Sequence, residues 1–265
     1  MTFADLHRGP RPLLLPNAWD VASALVFVEA GFPAVGTTSF GVSAAIGRPD
    51  AGRTSRQATA DLVRRLRALP AYVTADLEDG YSDDPAEVAD LVAALADVGL
   101  AGVNVEDSTY GQLIDPAAHA AKVTAIRTAA PGVFVNARVE TYWLDQDATV
   151  EATLDRARVY VDAGADGIFV PAATDPAVLE RLATALPLPL NVLAVPGLSL
   201  DRLGDLGVRR VSTGSLPYRA AIDAAVAAAA AVRDGGAAPA ATPYPQAQAR
   251  LERYAQQVAD RTGTP

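Results

Sequence analysis

The chain has no cysteine, one lysine and two histidines among its 265 residues. The lack of cysteine excludes disulfides and every mechanism that uses a thiol. Neither His7 nor His119 ends a predicted strand, which argues against a histidine-ligated zinc site and a Ser-His-Asp triad. Lys122 falls inside a predicted helix, so a Schiff-base lysine is not expected; we place it and His119 on the helix surface. Oxygen ligands and arginine remain, and they suit a hard cation such as Mg²⁺.

Long apolar runs and basic clusters are also missing. No stretch approaches the roughly 18 uninterrupted apolar residues that span a bilayer, and the N-terminus does not show a targeting pattern. The net charge is −9, and no basic cluster is present to follow a phosphate backbone. We therefore expect a cytoplasmic protein with neither a membrane nor a nucleic acid as a partner. Half of the residues are apolar, which is enough for one large core.

One sequence phrase recurs along the chain: a helical pattern ends at glycine, and a β-branched run follows almost at once. It occurs after Gly31, Gly99, Gly164 and Gly207, and it is typical of the αβ half of a βα unit. Eight strands alternating with helices predict an α/β fold, a (β/α)₈ TIM-type barrel. A doubly wound sheet is the weaker alternative, because no G-x-G-x-x-G follows the first strand. The predicted strands lie near 12–15, 33–37, 71–76, 102–106, 133–138, 167–171, 188–193 and 209–213.

The composition of the C-terminal part differs from that of the predicted barrel. We assign 1–234 to a catalytic barrel, 235–245 to a Gly- and Pro-rich linker, and 246–265 to an amphipathic helix and tail. Leu251, Tyr254 and Val258 form an apolar stripe on this helix. That stripe must cover either its own barrel or a neighbouring subunit. We expect exchange of this helix between subunits and hence a homo-oligomer, a dimer or a tetramer.

Polar side chains follow three of the predicted strands at their carboxyl ends, where the ligands of barrel proteins bind. Residues two apart in a strand share a face, so Asp76 and Glu78 share one, as do Asn104 and Glu106. Asn136, Arg138 and Glu140 share a third face. A structural ion-pair network around Arg138 is the alternative interpretation. The restriction of these acids to strand ends favours Mg²⁺ held by carboxylates, water and substrate oxygens.

Other polar positions have a plainer interpretation. Asp83 and Asp84 are interpreted as residues that cap or lead into the next helix, with Asp79 a further candidate for that role. Asp107 could orient the neighbouring glutamate or only shape a turn. The run 211–215 closes the last strand, where many barrels bind phosphate, but a turn of small residues explains it more simply.

Several ordered motifs resemble the isocitrate lyase/phosphoenolpyruvate mutase superfamily, over roughly residues 10–235. The motif Asp76–Tyr81 resembles its D-x-[DE]-[DT]-G-Y metal-binding signature, and Asn136–Glu140 resembles the strand whose arginine holds the substrate. The other matching segments are Pro16–Asp20, Thr37–Ala44, Gly47–Asp50 and Val105–Asp107.

The resemblance implies a helix-swapped barrel, usually a tetramer, that binds Mg²⁺ together with a small 2-oxo acid or its enolate. It implies that Asp76 and Glu78 anchor the metal, while Asp50 and Glu106 hold its water molecules. Glu106 and Arg138 would act in catalysis. The substrate-binding residues that it implies are Thr38, Ser39, Phe40, Arg138 and Asn191.

The loop after the fourth strand departs from the superfamily. It runs over 108–115 with neither the Lys-Cys-Gly motif of the C–C lyases nor the Lys-x-Asn-Ser segment of the mutases. We expect a Mg²⁺-dependent lyase or hydrolase that breaks a C–C bond beside a 2-oxo or 2-hydroxy carboxylate through a metal-stabilised enolate. Phosphonate chemistry at a P–C bond is one alternative, and a carboxylate-binding barrel without turnover is another.

Overall fold

A computed structural model describes residues 1–262 of the chain. Its main sheet holds nine parallel strands. The first two strands along the chain form the two opposite edges of this sheet. A short antiparallel hairpin of two two-residue strands lies in the loop that follows Glu106. The strands are β1 Leu13–Leu15, β2 Asn17–Ala18, β3 Ala34–Thr37, β4 Tyr72–Asp76, β5 Leu100–Glu106, β6 Ser108–Thr109, β7 Gln112–Leu113, β8 Phe134–Arg138, β9 Gly167–Phe169, β10 Leu190–Leu193 and β11 Val208–Ser212.

Pro16 divides the first strand into β1 and β2, because proline has no N–H to donate to a ladder. On one side β1 pairs with β11, and on the other side β2 pairs with β3. The carbonyl of Pro16 itself accepts from the N–H of Gly36 at 2.9 Å. The nine strands thus occupy eight positions of a nearly closed barrel, which confirms the predicted TIM-type fold.

Helices cover the outside of this barrel, and three of them begin with the same Asp-Pro pair. Asp84, Asp115 and Asp175 each accept a hydrogen bond from the backbone N–H two residues further on, and a proline occupies the first helical turn. The predicted cap at Asp84 is therefore confirmed. The helices are α1 Val21–Glu29, α2 Ser39–Ala45, α3 Arg56–Arg65, α4 Pro85–Ala96, α5 Pro116–Ala129, α6 Thr141–Leu144, α7 Val150–Asp162, α8 Pro176–Ala185, α9 Leu200–Asp205, α10 Leu216–Arg233 and α11 Tyr244–Thr262.

The amino-terminal end of the barrel is closed by a short 3₁₀ helix at Ala4–Arg8. The imidazole of His7 stacks on Phe134 with 4.3 Å between ring centroids, and Phe3 meets the same ring edge-on. Above this plug, the fully buried Arg210 donates from Nη2 to Oδ1 of Asn104 at 3.2 Å. Ligands therefore enter the barrel from its other end.

The C-terminal helix α11 packs on the barrel of its own chain. Tyr254 is buried and its hydroxyl donates to the carbonyl of Arg65, while Arg250 pairs with Glu29 at 2.7 Å. Of the three residues in this stripe, Tyr254 and Val258 pack on the chain's own barrel, whereas Leu251 is 44% exposed. Exchange of this helix between subunits stays a prediction. The helix α10, Leu216–Arg233, has no buried side chain. The end of the predicted tail, 263–265, lies outside the described residues, and no helix within the described part is long and apolar enough to cross a membrane.

His119 and Lys122 are buried, so their predicted place on the helix surface is wrong. Together with Val123 and Ile126 they form the inner stripe of α5, since residues three and four apart share a helix face. His119 packs edge-on against Tyr160 at 4.5 Å between ring centroids. The ammonium of Lys122 reaches inward and donates to the carbonyl of Asp79 at 2.8 Å.

The buried imidazole of His119 makes folding sensitive to acid. Burial lowers the pKa of His119 to about 4, against about 6.5 in an unfolded chain. The unfolded state therefore binds more protons between these values, and the free energy of unfolding falls as the pH drops from about 6.5 to 4. We expect His119→Phe to lose about 2 kcal/mol less than the parent chain between pH 7 and pH 4.5.

Urea unfolding of both proteins at pH 7 and pH 4.5 measures this difference. His7 remains in both proteins, so its own titration cancels in the comparison. Equal pH dependence of the two proteins would contradict the assignment of a neutral His119 in the fold.

Candidate active site

The guanidinium of Arg138 contacts three carboxylates at the carboxyl end of the barrel. Its Nη1 lies 3.1 Å from Oδ2 of Asp76 and 3.1 Å from Oε2 of Glu106, and its Nε lies 2.9 Å from Oε1 of Glu140. The Arg138 side chain is only 10% exposed. The acids from three neighbouring strands and the arginine therefore meet, as the positions of these residues in the sequence indicated.

Negative charge is in excess in this cluster. Burial raises the pKa of Glu106 well above its usual value, and Glu140, Asp76 and Glu78 raise it further, although Arg138 acts in the opposite direction. The pKa of Glu78 is raised by burial and by its acidic neighbours. Asp50 lies on an exposed loop, but its carboxyl lines the site, where lost hydration and the charge of Asp76 raise its pKa. A single guanidinium does not balance this set.

Glu78 enters the site by a left-handed turn rather than by strand alternation. The strand β4 ends at Asp76, and Glu78 has φ +52°. Its carboxylate accepts from the backbone N–H of Arg53 at 2.8 Å and from the hydroxyl of Ser55 at 2.6 Å. Its carbonyl accepts from the N–H of Glu106 at 2.8 Å. These contacts join the two acids and the loop that carries Asp50.

Asp79 is not a helix cap; its carboxylate binds side chains of the two neighbouring loops. It accepts from Nε of Arg53 at 2.8 Å and from the hydroxyl of Thr109 at 2.7 Å. The side chain of Asp83 also pairs with Arg53. Asp84 is the residue that caps α4, and Asp83 leads into it, as one of the two predicted roles has it. One arginine thus ties together the three loops that follow α2, β4 and β5.

Asp107 acts on Glu140 rather than on its sequence neighbour Glu106. The carboxylate of Asp107 is fully buried and accepts from the backbone N–H of Glu140 at 2.8 Å. It also accepts from the hydroxyl of Tyr160 and from Nε of Arg156, both at 2.6 Å. This acid is satisfied and paired, so its role is to fix the backbone at the end of β8.

A cavity of about 510 Å³ opens above Asp76 and Arg138. The predicted substrate residues Thr38, Ser39 and Phe40 line it, and the hydroxyl of Ser39 lies 3.4 Å from Oδ2 of Asp76. The predicted residue Asn191 lies lower. It is buried in the barrel, and its amide donates to the hydroxyl of Ser212 at 3.2 Å, which in turn lines the cavity.

Several lining residues were missed in the sequence. Asn17 joins the ends of three strands, because its amide donates to the carbonyl of Thr37 and its Oδ1 accepts from the N–H of Gly214. The sequence feature that could have indicated Asn17 is its position directly after Pro16, the proline that divides the first strand. Phe169 ends β9 and gives no polar signal at all, although its ring lies 5.3 Å from the guanidinium carbon of Arg138. Other lining residues that sequence reasoning did not assign to substrate are Trp143, Leu193, Thr213 and Arg219.

The donors present fit Mg²⁺ in kind. Among the described residues, no group of three or more histidine or acidic side chains is close enough to hold a metal by itself. Mg²⁺ does not require such a group, because it keeps several water molecules and is bound through one or two carboxylates plus substrate oxygens. The excess of buried carboxylate charge is what a divalent cation would compensate.

The sequence matches the phosphoenolpyruvate phosphomutase family over residues 3–233. The chain belongs to this family. An uncharacterised protein of Mycobacterium tuberculosis is 54% identical over 254 residues, covering 96% of this chain and 97% of that protein. The 2-methylisocitrate lyase of Bacillus subtilis is 28% identical over 84% of this chain and 77% of its own length.

Solved structures of the family superimpose closely. A Burkholderia cenocepacia protein, provisionally described as a phosphonomutase, has a TM-score of 0.79 and 39% identity over 85% of this chain and 96% of its own. A phosphonopyruvate hydrolase in complex with oxalate and Mg²⁺ has a TM-score of 0.84 over 97% of this chain and 99% of its own, and its 23% identity shows the shared fold.

Arg138 is predicted to stabilise the fold by pairing with the buried acids around it. Arg138→Met leaves Asp76, Glu106 and Glu140 buried without their cation, so we expect a loss of about 3–5 kcal/mol in the free energy of unfolding. Adding Glu106→Gln to this variant removes one of the unpaired charges and should recover part of the loss. Chemical denaturation at pH 7 measures both values. Equal stability of the single and double variants would contradict direct coupling between Arg138 and Glu106.

Proposed function

We propose that this chain is a Mg²⁺-dependent enzyme that breaks a C–C bond beside a 2-oxo or 2-hydroxy carboxylate. The observation that carries the proposal is the uncompensated cluster of carboxylates around Arg138, on the wall of a cavity at the carboxyl end of the barrel. Barrel enzymes place their chemistry at this end. The relatedness to a 2-methylisocitrate lyase supports a lyase reaction.

Each side chain of the cluster has a role in this proposal. Asp76 and Glu78 would hold the metal, and Asp50 and Glu106 would accept hydrogen bonds from its water. When bound, Mg²⁺ supplies a Lewis acid that polarises the carboxylate and 2-oxo oxygens of the substrate. Arg138 would stabilise the negative charge that develops on the substrate as the bond beside the carbonyl breaks.

Glu106 is placed for proton transfer by its position. Burial and neighbouring acids raise its pKa, whereas a bound Mg²⁺ would lower it, so position rather than pKa carries this role. The carboxylates of Glu106 and Asp76 both lie 3.1 Å from Nη1 of Arg138. Proton exchange at Glu106 would therefore take place beside the group that binds substrate.

Chemistry at a P–C bond is the second candidate, and the likeness to a phosphonopyruvate hydrolase supports it. The loop after β11, where barrels often bind phosphate, weighs against it. The N–H of Thr213 already donates to the carbonyl of Leu15 at 3.1 Å, and the N–H of Gly214 donates to Asn17 at 2.9 Å. These donors are engaged, so the C–C reaction is the better supported of the two.

The metal assignment is tested with oxalate, which mimics a planar 2-oxo acid. Thermal unfolding of the full chain with Mg²⁺ and oxalate should shift upward, since a ligand that binds the native state stabilises it. Asp76→Asn should lose most of this shift. The matched control is Asp162→Asn, which changes an exposed carboxyl at the C-terminal end of the outer helix α7. An unchanged Mg²⁺-dependent shift in Asp76→Asn would show that Asp76 does not hold the metal.

Turnover separates the three candidate functions. Incubation with a panel of 2-oxo and 2-hydroxy acids and phosphonates should release a new 2-oxo acid if the C–C reaction is correct. Release of phosphate would favour the P–C alternative instead. Tight oxalate binding without any product would indicate a binding protein.

We also propose that the chain forms a homo-oligomer through α10. This helix has no buried side chain over its 18 residues, and its apolar residues Ile222 and Val226 are exposed one turn apart. A second copy of the chain would cover that face, as the superfamily resemblance implies. Sedimentation should show a dimer or tetramer for the parent chain and dissociation for Ile222→Asp/Val226→Asp. A parent chain that stays monomeric at high concentration would exclude the proposal.

A further inference from the structure

The cavity above the barrel has two unlike halves. Asp50 and Asp76 line one half, beside Arg138. The other half, which we call the apolar wall, consists of Trp143, Phe169, Pro171, Leu193, Pro196 and Leu216. Three of these are exposed, Pro196 together with Trp143 at 56% and Leu216 at 51%, whereas Phe169 is 4% exposed at the base of the wall.

The order of the strands explains why the halves face each other. In the ring of eight strand positions, β9 and β10 lie across from β3 and β4. The loops after β3 and β4 bring Asp50 and Glu78 to the site, while β9 and β10 end in Phe169 and Leu193. Arg138, on the strand beside β9, lies between the two halves, with its guanidinium near the ring of Phe169. An acid bound to Arg138 and the cluster must therefore direct the rest of its chain toward the apolar wall.

Polar groups next to the apolar wall are already engaged with each other. Asn191 and Ser212 exchange hydrogen bonds at 3.2 and 3.3 Å. The hydroxyl of Thr213 accepts from the N–H of Asn17 at 3.0 Å and donates to its Oδ1 at 3.2 Å. These side chains are therefore engaged with each other rather than free to bind a second carboxylate.

One charged side chain lies on this side of the described cavity lining, and it is at the rim. Arg219 is exposed, and its Nε donates to the hydroxyl of Ser215 at 3.2 Å. A carboxylate inside the cavity against Phe169 and Leu193 would lose its hydration without gaining a partner. An alkyl group in the same place would leave water at no such cost.

We propose that the site takes a 4-hydroxy-2-oxo acid with a single carboxylate and an apolar substituent of several carbons beyond C4, rather than a dicarboxylate. Breaking the C3–C4 bond of such an acid would leave the enolate of a 2-oxo acid and release C4 as an aldehyde, while the proton of the C4 hydroxyl passes to the enolate carbon. The inference rests on the proposed function for the acid half of the cavity. It adds that the apolar wall selects the substrate, with Phe169 and Leu193 as its specificity-determining residues. A cavity of about 510 Å³ has room for such a substituent.

The test is calorimetric binding to the full chain in the presence of Mg²⁺. Pyruvate, 2-oxobutanoate and 2-oxopentanoate differ by one methylene each, and each addition should tighten binding about fourfold. The dicarboxylic acid 2-oxoglutarate has the same five-carbon chain as 2-oxopentanoate. We expect it to bind at least about tenfold more weakly, because its second carboxylate meets the apolar wall.

Substitutions in the apolar wall should change how much each added methylene tightens binding. Leu193→Ala and Leu216→Ala should each reduce the gain per methylene, and Leu216 is exposed enough that its truncation leaves folding intact. Val159→Ala removes an exposed apolar side chain from the outer helix α7 and is the matched control. Its series should match that of the parent chain.

Oxalate distinguishes failure of this inference from failure of the proposed function, because it has no substituent to reach the wall. If oxalate does not bind with Mg²⁺, the proposed function and this inference both fall. If oxalate binds but 2-oxoglutarate binds as tightly as 2-oxopentanoate, only the inference is overturned. Loss of that 2-oxoglutarate binding in Arg219→Met would then assign the second carboxylate to the rim.

Discussion

The contact between one guanidinium and three buried carboxylates is the constraint on which the active end of this barrel depends. Arg138 lies at the end of β8 and meets Asp76, Glu106 and Glu140 from three directions. Each acid alone would resist burial at this place, since an unpaired buried carboxylate is costly. Burial and the neighbouring acids raise the pKa values of Glu106 and Glu78, and a single guanidinium leaves the carboxylates of the cluster in excess.

A comparison with the acids just outside the cavity separates chemistry from stability. Asp107 is fully buried, yet Arg156, Tyr160 and the N–H of Glu140 satisfy it completely. Asp79 is likewise held by Arg53 and Thr109. These acids are paired because their work is to join strands and loops. A network built only for stability would have balanced the cavity acids in the same way, and their imbalance is therefore the functional signal.

Sequence reasoning succeeded where strand geometry alone decides the position of a side chain. The end of a parallel strand is visible in the sequence, so the meeting of Asp76, Glu106 and Arg138 could be predicted. It failed where a backbone angle or a helix register decides. The left-handed turn at Glu78 follows from contacts with the distant residues Arg53 and Ser55. Lys122 looked solvent-exposed because only the packing of α5 shows that its ammonium reaches a loop carbonyl.

The two halves of the cavity also differ in how visible they are in the sequence. Acids and arginines at strand ends violate the expectation of an apolar barrel interior, so they stand out and carry the family resemblance. Phe169 and Leu193 obey that expectation and attract no notice, although they line the same cavity. The apolar wall, which no sequence motif marks, is the half that we propose meets the variable part of a substrate. Shared motifs thus indicate the reaction that a family can perform, whereas the apolar strand ends opposite them determine which acid enters, and only the closed barrel shows that they face the same space.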